Sequence, residues 1–96
     1  MEREKVLILL RSCLPKLRTL GVRSVAVFGS TAREESSAHS DVDVLIEFTG
    51  RATFDKYMDV KFLLESTLGM PVDVVTPRAL KPRMKPFIEQ EAIYVT

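Results

Sequence analysis

The hydrophobic residues of the first twenty positions follow a helical spacing. Apolar side chains recur every three or four residues from Val6 to Leu20, which is typical of a helix with one buried face. Pro15 interrupts this pattern and predicts a kink or a restart there, because proline lacks an N–H donor and clashes with the preceding turn. Gly21 predicts the end of this helical segment.

Short runs of β-branched and apolar residues further along the chain predict buried strands. Each run is four to seven residues long and is bounded by glycine, proline or a polar stretch. The predicted strands are Ser24 to Phe28, Val42 to Phe48, Pro71 to Thr76 and a short last strand at Ala92 to Val95.

Helical patterns separate these strands. A short helix is expected at Thr31 to Glu35, and a longer one begins at the N-cap candidate Thr53 and continues to about Leu68. Pro77 to Glu91 predicts a loop followed by a helix. The order α-β-α-β-α-β-α, with the last strand, predicts an α+β fold in which helices pack on a small mixed sheet.

The composition limits the class of protein. Ninety-six residues, of which 46% are hydrophobic and 28% charged, predict a single folded domain over residues 1–96. Fourteen cationic residues against thirteen carboxylates give a net charge of +1, so stable binding of nucleic acid is not expected. Cys13 is the one cysteine, which excludes an intramolecular disulfide.

No segment of the sequence resembles a membrane anchor or a secretion signal. The longest apolar run, Val6 to Leu10, has five residues, whereas a spanning helix needs about 20. Glu2 and Glu4 precede it in place of a positively charged leader. A cytoplasmic protein without membrane contact is therefore expected, and a homo-oligomer stays open.

Two carboxylates lie unusually close together at the start of the second strand. Side chains alternate along a strand, so Asp41 and Asp43 point to one face while Val42, Val44 and Ile46 point into the core. Neighbouring carboxylates repel each other and lose hydration when they are partly buried. A divalent cation removes both costs, and ligands that are all oxygen suit Mg²⁺.

Two further features are consistent with phosphate chemistry. Asp73 lies between two valines in the third strand and joins the pair if that strand lies beside the second one. Gly29-Ser30 follows the first strand and precedes a helix, where backbone N–H groups can face an anion, and Arg33 lies one turn further on. Three carboxylates around one point suit a two-metal site for phosphoryl or nucleotidyl transfer.

Each of these features has a structural interpretation when it is taken alone. Gly29-Ser30 could be an ordinary turn, Asp41 and Asp43 could be solvated at a strand end, and Asp73 could be a rim residue. The basic run Arg78, Lys81, Arg83 and Lys85 could be a solvated face or could contact an acidic partner or RNA. The combination of the glycine turn with three carboxylates favours a functional site.

The sequence resembles the minimal nucleotidyltransferases of the DNA polymerase β superfamily. The resemblance rests on Gly29 to Glu35 followed by Ser40 to Ile46, and it extends over the Pro71 to Pro77 strand and the closing segment from Glu91. It implies the polymerase β-like fold. One departure is Glu34, which stands where the family usually has glycine and which could weaken the activity.

The resemblance also implies roles for the candidate residues. Asp41, Asp43 and Asp73 would be catalytic and would bind two Mg²⁺ ions, and ATP would be the substrate. The residues implied in nucleotide binding are Gly29, Ser30, Arg33 and Ser40.

The implied activity is the transfer of AMP from ATP to a hydroxyl, expected to be a tyrosine, of a HEPN-type ribonuclease toxin that this chain neutralises as an antitoxin. Two alternatives stay open. One is an antitoxin that acts by complex formation without catalysis. The other is a nucleotidyltransferase that acts on RNA or on a small molecule.

Overall fold

In the computed structural model, residues 2–32 and 41–96 are described, without the side chains of Ser30 and Thr31. The helices are α1 (Arg3–Ser12), α2 (Leu14–Thr19), α3 (Gly29–Ala32), α4 (Phe54–Leu68) and α5 (Lys85–Glu91). The strands are β1 (Val22–Phe28), β2 (Val42–Phe48), β3 (Val72–Val75) and β4 (Ile93–Tyr94), and a 3-10 turn covers Pro77–Ala79.

The four strands form one mixed sheet in the order β3-β2-β1-β4. Strand β1 is antiparallel to both β2 and β4, whereas β2 and β3 are parallel and are connected through α4. This is the polymerase β-like arrangement of helices on a small mixed sheet, and it confirms the predicted fold class.

One face of the sheet carries the main hydrophobic core. Helices α1, α2 and α4 cover this face, and their fully buried residues Leu10, Leu17 and Leu64 pack with the inward side chains of the strands. Val42, Val44 and Ile46 belong to this core, as the alternation along β2 predicts. Cys13 is buried in the same cluster, and burial raises the pKa of its thiol.

The opposite face of the sheet is only partly covered. Ala26, Phe28 and Leu45 form a second, smaller cluster there. The side chains that pack against this cluster come from the end of β3, from the segment after it, from α5 and from the residue that follows α5: Val75, Leu80, Ile88 and Ala92. Asp43 and Asp73 alternate with residues of the main core and so lie on this second face.

The break between the first two helices lies before the proline. Helix α1 ends at Ser12 and α2 begins at Leu14, so Pro15 occupies the first turn of α2. Proline is tolerated at that position because the N–H groups of a first turn have no partner within the helix. The predicted interruption is therefore correct in kind, but it lies two residues earlier than the predicted position.

Several other predicted boundaries differ from the structure by one or two residues. Strand β1 begins at Val22 rather than at Ser24, and the last two strands are shorter than predicted. Helix α3 begins at Gly29, and the predicted continuation of this helix to Glu35 lies outside the described residues. None of the helices described is long and apolar enough to cross a membrane.

Helix α4 begins and ends as its sequence predicts. The Thr53 hydroxyl accepts a hydrogen bond from the Lys56 N–H at 3.2 Å, which satisfies one of the free donors of the first turn. At the other end Gly69 adopts a left-handed conformation with φ of +70°, and its N–H donates to the Glu65 carbonyl at 2.8 Å. The helix that connects β2 to β3 therefore has defined ends.

A polar stripe on α4 binds the outer edge of β3. The Tyr57 hydroxyl donates to the Val74 carbonyl at 3.1 Å, and Lys61 Nζ donates to the Val72 carbonyl at 2.6 Å. Glu65 Oε2 accepts the Val72 N–H at 3.0 Å. The three residues are spaced four apart, so they lie on one side of the helix. They satisfy backbone groups at the sheet edge and hold β3 against β2.

The contact between Glu65 and β3 predicts an acid-sensitive contribution to stability. The Val72 N–H, and then the Lys61 ammonium, hold the pKa of the Glu65 carboxyl below its ordinary value of 4.5. A lowered pKa means that this contribution is present above the unfolded-state pKa and is lost as the pH falls through the folded-state pKa. We expect Glu65→Gln to destabilise the protein most near neutral pH and progressively less on acidification.

Urea unfolding of the wild type and of Glu65→Gln between about pH 7 and about pH 3 measures this difference. A difference in unfolding free energy that does not change with pH would contradict the assignment, because a purely steric effect of the substitution is independent of protonation.

Candidate active site

Asp43 lies near the start of β2, between the two neighbouring strands. Its register partner on β1 is Phe28, and its register partner on β3 is Asp73. Adjacent strands are about 4.8 Å apart, so the two aspartates are neighbours across the parallel pair. Asp43 is half-buried and Asp73 is exposed. The structure thus places two of the three predicted carboxylates side by side on one face.

The position of Asp73 depends on the stripe of α4 that binds β3. Val72 and Val74, which flank Asp73, face the main core, and their backbone groups accept or donate the hydrogen bonds from the helix. These contacts fix the strand on both sides of Asp73 without using its side chain. The sequence gives no indication of this role for Tyr57, Lys61 and Glu65, since their spacing is also that of a solvated helix face.

The turn at Gly29 runs directly against Asp43. Gly29 follows β1 with φ of +72°, a conformation that L-residues with a side chain rarely adopt. A Cβ at this position would overlap the Asp43 carboxylate and would lie 3.1 Å from its Cγ atom. Glycine is therefore required both by the backbone conformation and by the space that the carboxylate occupies.

Glu91 is a residue of this region to which the sequence assigned no role. It ends helix α5, and its Oε1 accepts a hydrogen bond from the Gly29 N–H at 3.0 Å. The two residues are 62 positions apart, and no spacing rule connects them. The Gly29 N–H is therefore already bonded. Gly29 contributes its left-handed conformation and the space that the Asp43 carboxylate occupies.

Asp41 lies just before β2 and is exposed. Among residues 2–32 and 41–96, no three or more His, Cys, Asp or Glu side chains are grouped as they would be around a metal ion. The structure thus brings Asp43 and Asp73 together but does not gather Asp41 with them. The three-carboxylate metal site stays a prediction.

The donor set itself is suited to Mg²⁺. Two adjacent carboxylates on a partly uncovered sheet face supply oxygen ligands and leave room for water and phosphate oxygens, which Mg²⁺ prefers. The absence of a side chain at Gly29 lets the Asp43 carboxylate lie directly against the turn. Without a cation, the adjacent negative charges repel each other.

Some of the predicted site residues lie outside the part of the chain that the structure describes. Arg33 and Ser40 lie outside the described residues, as does Glu34, and nothing is described of the Ser30 side chain. The backbone of Ser30 belongs to helix α3, directly after Gly29. The roles of these residues in nucleotide binding stay predictions.

The arrangement combines elements that phosphoryl chemistry uses. An exposed carboxylate can accept a proton from an incoming hydroxyl, and a neighbouring carboxylate can bind a cation. A glycine turn beside both allows a phosphate group to approach the backbone closely. All of these elements lie at one end of the sheet, where β1 ends and where β2 and β3 begin.

Comparison with known sequences gives a consistent picture. A family model described as the nucleotidyltransferase domain matches residues 10–95. A relative from Methanocaldococcus jannaschii, provisionally named a protein adenylyltransferase, is 41% identical over 75 residues, covering 77% of this chain and 76% of its own. Protein adenylyltransferase MntA of Thermococcus cleftensis is 37% identical over 75 residues, covering 78% of this chain and 76% of its own.

Comparison with solved structures agrees with the sequence matches. A structure provisionally described as a minimal nucleotidyltransferase has a TM-score of 0.86 and 35% identity, covering 97% of this chain and 95% of that one. A toxin-antitoxin crystallised with AMP-PNP has a TM-score of 0.70 over 100% of this chain and 73% of that one. Its identity is 19%, so this likeness concerns the fold alone.

Proposed function

This chain belongs to the minimal nucleotidyltransferase family, and we propose that it transfers AMP from ATP to a hydroxyl of a partner protein. The chain is a nucleotidyltransferase, and relatives with 41% and 37% identity carry the name protein adenylyltransferase. The observation that carries the proposal is the pairing of Asp43 with Asp73 beside the Gly29 turn. These are the positions at which the family resemblance expects its catalytic residues.

We propose that Asp41, Asp43 and Asp73 hold two Mg²⁺ ions. Bound Mg²⁺ would neutralise charge between the carboxylates and the triphosphate of ATP and would polarise its phosphate oxygens. The proposed binding residues for the nucleotide are Gly29 and Ser30 at the β- and γ-phosphates, with Arg33 and Ser40 nearby. The adjacency of Asp43 and Asp73 supports the ligand assignment, because two neighbouring carboxylates favour a cation between them.

The proposed reaction is an in-line displacement at the α-phosphorus. The hydroxyl oxygen of the acceptor forms a bond to the α-phosphorus while the bond from phosphorus to the pyrophosphate oxygen breaks. The Asp73 carboxylate accepts the hydroxyl proton, and pyrophosphate leaves with the electron pair of the broken bond. The exposure of Asp73 supports this role, since an acceptor on another protein must reach the proton-accepting group.

The proposed partner is a HEPN-type ribonuclease toxin that receives AMP on a tyrosine and is neutralised in this way. Two observations support a protein acceptor in a toxin–antitoxin pair. The relatives are named for transfer to proteins, and a toxin-antitoxin crystallised with AMP-PNP shares the fold. The proposed setting is the cytoplasm.

Incubation with α-labelled ATP, Mg²⁺ and the protein encoded beside this gene tests the proposal. We expect the label to appear on the partner, and we expect EDTA to abolish the transfer because the proposed site requires a divalent cation. Digestion of the labelled partner and mass spectrometry locate the acceptor. Intact folded protein that transfers no label to this partner would contradict the proposal.

A second candidate function is a binding module that neutralises its partner by covering it. The observation that favours it is the exposed position of Asp41 outside any three-carboxylate group in the described part of the chain. The variant Asp41→Asn separates the two functions. Loss of neutralisation with intact complex formation indicates catalysis, whereas neutralisation that survives the substitution indicates binding.

A further inference from the structure

A short stretch between β3 and the end of α5 concentrates positive charge. Residues 81–87 contain three cationic side chains and no carboxylate, whereas the rest of the chain has eleven cationic residues against thirteen carboxylates. The three are Lys81, Arg83 and Lys85. The net charge of the chain is +1 because the positive charge of this stretch outweighs a small negative charge on the rest of the chain.

The same stretch exposes large apolar side chains. Every residue from 81 to 87 is exposed, and the exposed fraction reaches 70% for Phe87 and 47% for Met84. Aromatic residues, methionine and arginine are the types enriched at the centres of protein interfaces. We call residues 81–87 the basic–aromatic segment.

Both ends of the basic–aromatic segment are anchored on the sheet face that carries Asp43 and Asp73. Leu80 precedes the segment and Ile88 follows it, and both pack against the second cluster. That cluster contains Phe28, the register partner of Asp43 on β1. The exposed residues between these two anchors therefore lie on the face of the candidate active site.

Phe87 lies one helical turn before the residue that contacts the glycine turn. It is four residues before Glu91 on α5, so the two side chains lie on one side of the helix, about 6 Å apart along its axis. Glu91 in turn accepts the hydrogen bond from the Gly29 N–H. An exposed aromatic ring is thus one helical turn from the residue that contacts the turn beside Asp43.

We propose that the basic–aromatic segment is the docking surface for the protein that carries the acceptor hydroxyl, and that it binds an acidic surface with an apolar centre. The orientation of the acceptor toward Asp43 and Asp73 rests on the proposed function. Lys81 and Arg83 select negative charge together with Lys85, whose Nζ also lies 4.0 Å from Glu89 Oε1. Phe87 and Met84 supply apolar area. An RNA strand is disfavoured because the chain has a net charge of only +1 and carboxylates outnumber cationic residues outside the segment.

The test measures complex formation with the protein encoded beside this gene, without nucleotide, by surface plasmon resonance. One variant reverses the charges (Lys81→Glu, Arg83→Glu and Lys85→Glu together), and a second is Phe87→Ser. The matched controls lie on the helices that cover the opposite face. One control is the triple variant Lys5→Glu, Arg11→Glu and Lys16→Glu. The other is Phe62→Ser, at a residue that is 60% exposed in the wild type.

We expect each variant of the segment to raise the dissociation constant at least about tenfold and each control to change it less than about threefold. Higher salt should raise the dissociation constant of the wild-type complex more than the dissociation constant of the complex with the charge-reversal variant. Salt screens the charge attraction in the wild type, and the variant has already lost this attraction. Circular dichroism and ATP affinity of the variants should match the wild type.

Because binding is measured without nucleotide, it is independent of the proposed chemistry. If the wild type binds the partner but transfers no label to it, that result would count against the proposed function alone. The docking surface is overturned if the segment variants bind like the controls, if the wild type does not bind this partner, or if the variants lose affinity for ATP or for an RNA oligonucleotide instead.

Discussion

Asp43→Asn is expected to lower kcat/KM for AMP transfer by about a thousandfold or more while the protein stays folded. A carboxylate that binds a divalent cation contributes several kcal/mol to stabilising the transition state, and roughly 4 kcal/mol corresponds to three orders of magnitude. The amide keeps the shape of the side chain but removes its charge. Asp43 is the carboxylate with neighbours on both sides, Asp73 on β3 and Phe28 before the Gly29 turn.

Steady-state labelling of the partner with α-labelled ATP over a range of Mg²⁺ concentrations measures this effect. The matched control is Asp59→Asn, since Asp59 is an exposed aspartate on α4 outside the proposed machinery. The control should transfer like the wild type. Transfer by Asp43→Asn within about tenfold of the wild type would remove Asp43 from the metal-binding residues.

Gly29→Ala is expected to abolish most of the transfer and to destabilise the fold by about 2–3 kcal/mol. Two causes act together. The left-handed backbone at φ of +72° costs an alanine about 1 kcal/mol, and the new Cβ overlaps the Asp43 carboxylate. To relieve the overlap, Asp43 must rotate or the turn must shift, and either change moves the carboxylate away from its place beside the turn.

The chain provides a matched control for this substitution. Gly69 has nearly the same φ, +70°, but a Cβ there meets no atom within 4 Å. Gly69→Ala should therefore lose only the backbone cost of about 1 kcal/mol and keep full activity. Urea unfolding of both variants isolates the effect of the overlap. Equal losses at the two glycines, with activity retained in both, would show that the space beside Asp43 is not required.

The sequence predicts the sheet better than the contacts that complete the site. Runs of valine and isoleucine identified the strands because a β-branched residue packs well on a pleated surface. The alternation of Asp43 with Val42 and Val44 predicted its face. Whether Asp73 would be its neighbour depended on strand order, which one sequence does not determine, and the parallel pairing of β2 with β3 decides it.

The polar contacts between residues far apart in the chain are not predictable from the sequence, because local spacing does not indicate them. Tyr57, Lys61 and Glu65 have the spacing of a solvated helix face, and they become structural only because the edge of β3 lies beside them. Glu91 contacts Gly29 across 62 positions, which no local pattern indicates. Such contacts depend on the relative position of elements that the local pattern does not specify. The helix break lies two residues before Pro15 because proline fits the first turn of α2.

The hydrogen bond between Gly29 and Glu91 also has a consequence for the order of folding. Gly29 and Glu91, which are 62 positions apart, must meet before the turn beside Asp43 acquires this contact. Closing such a long loop carries an entropic cost, and contacts of this kind slow folding. A nascent chain that has paired β1 with β2 but has not yet added α5 lacks this contact. The turn beside Asp43 can therefore be completed only after synthesis has reached Glu91.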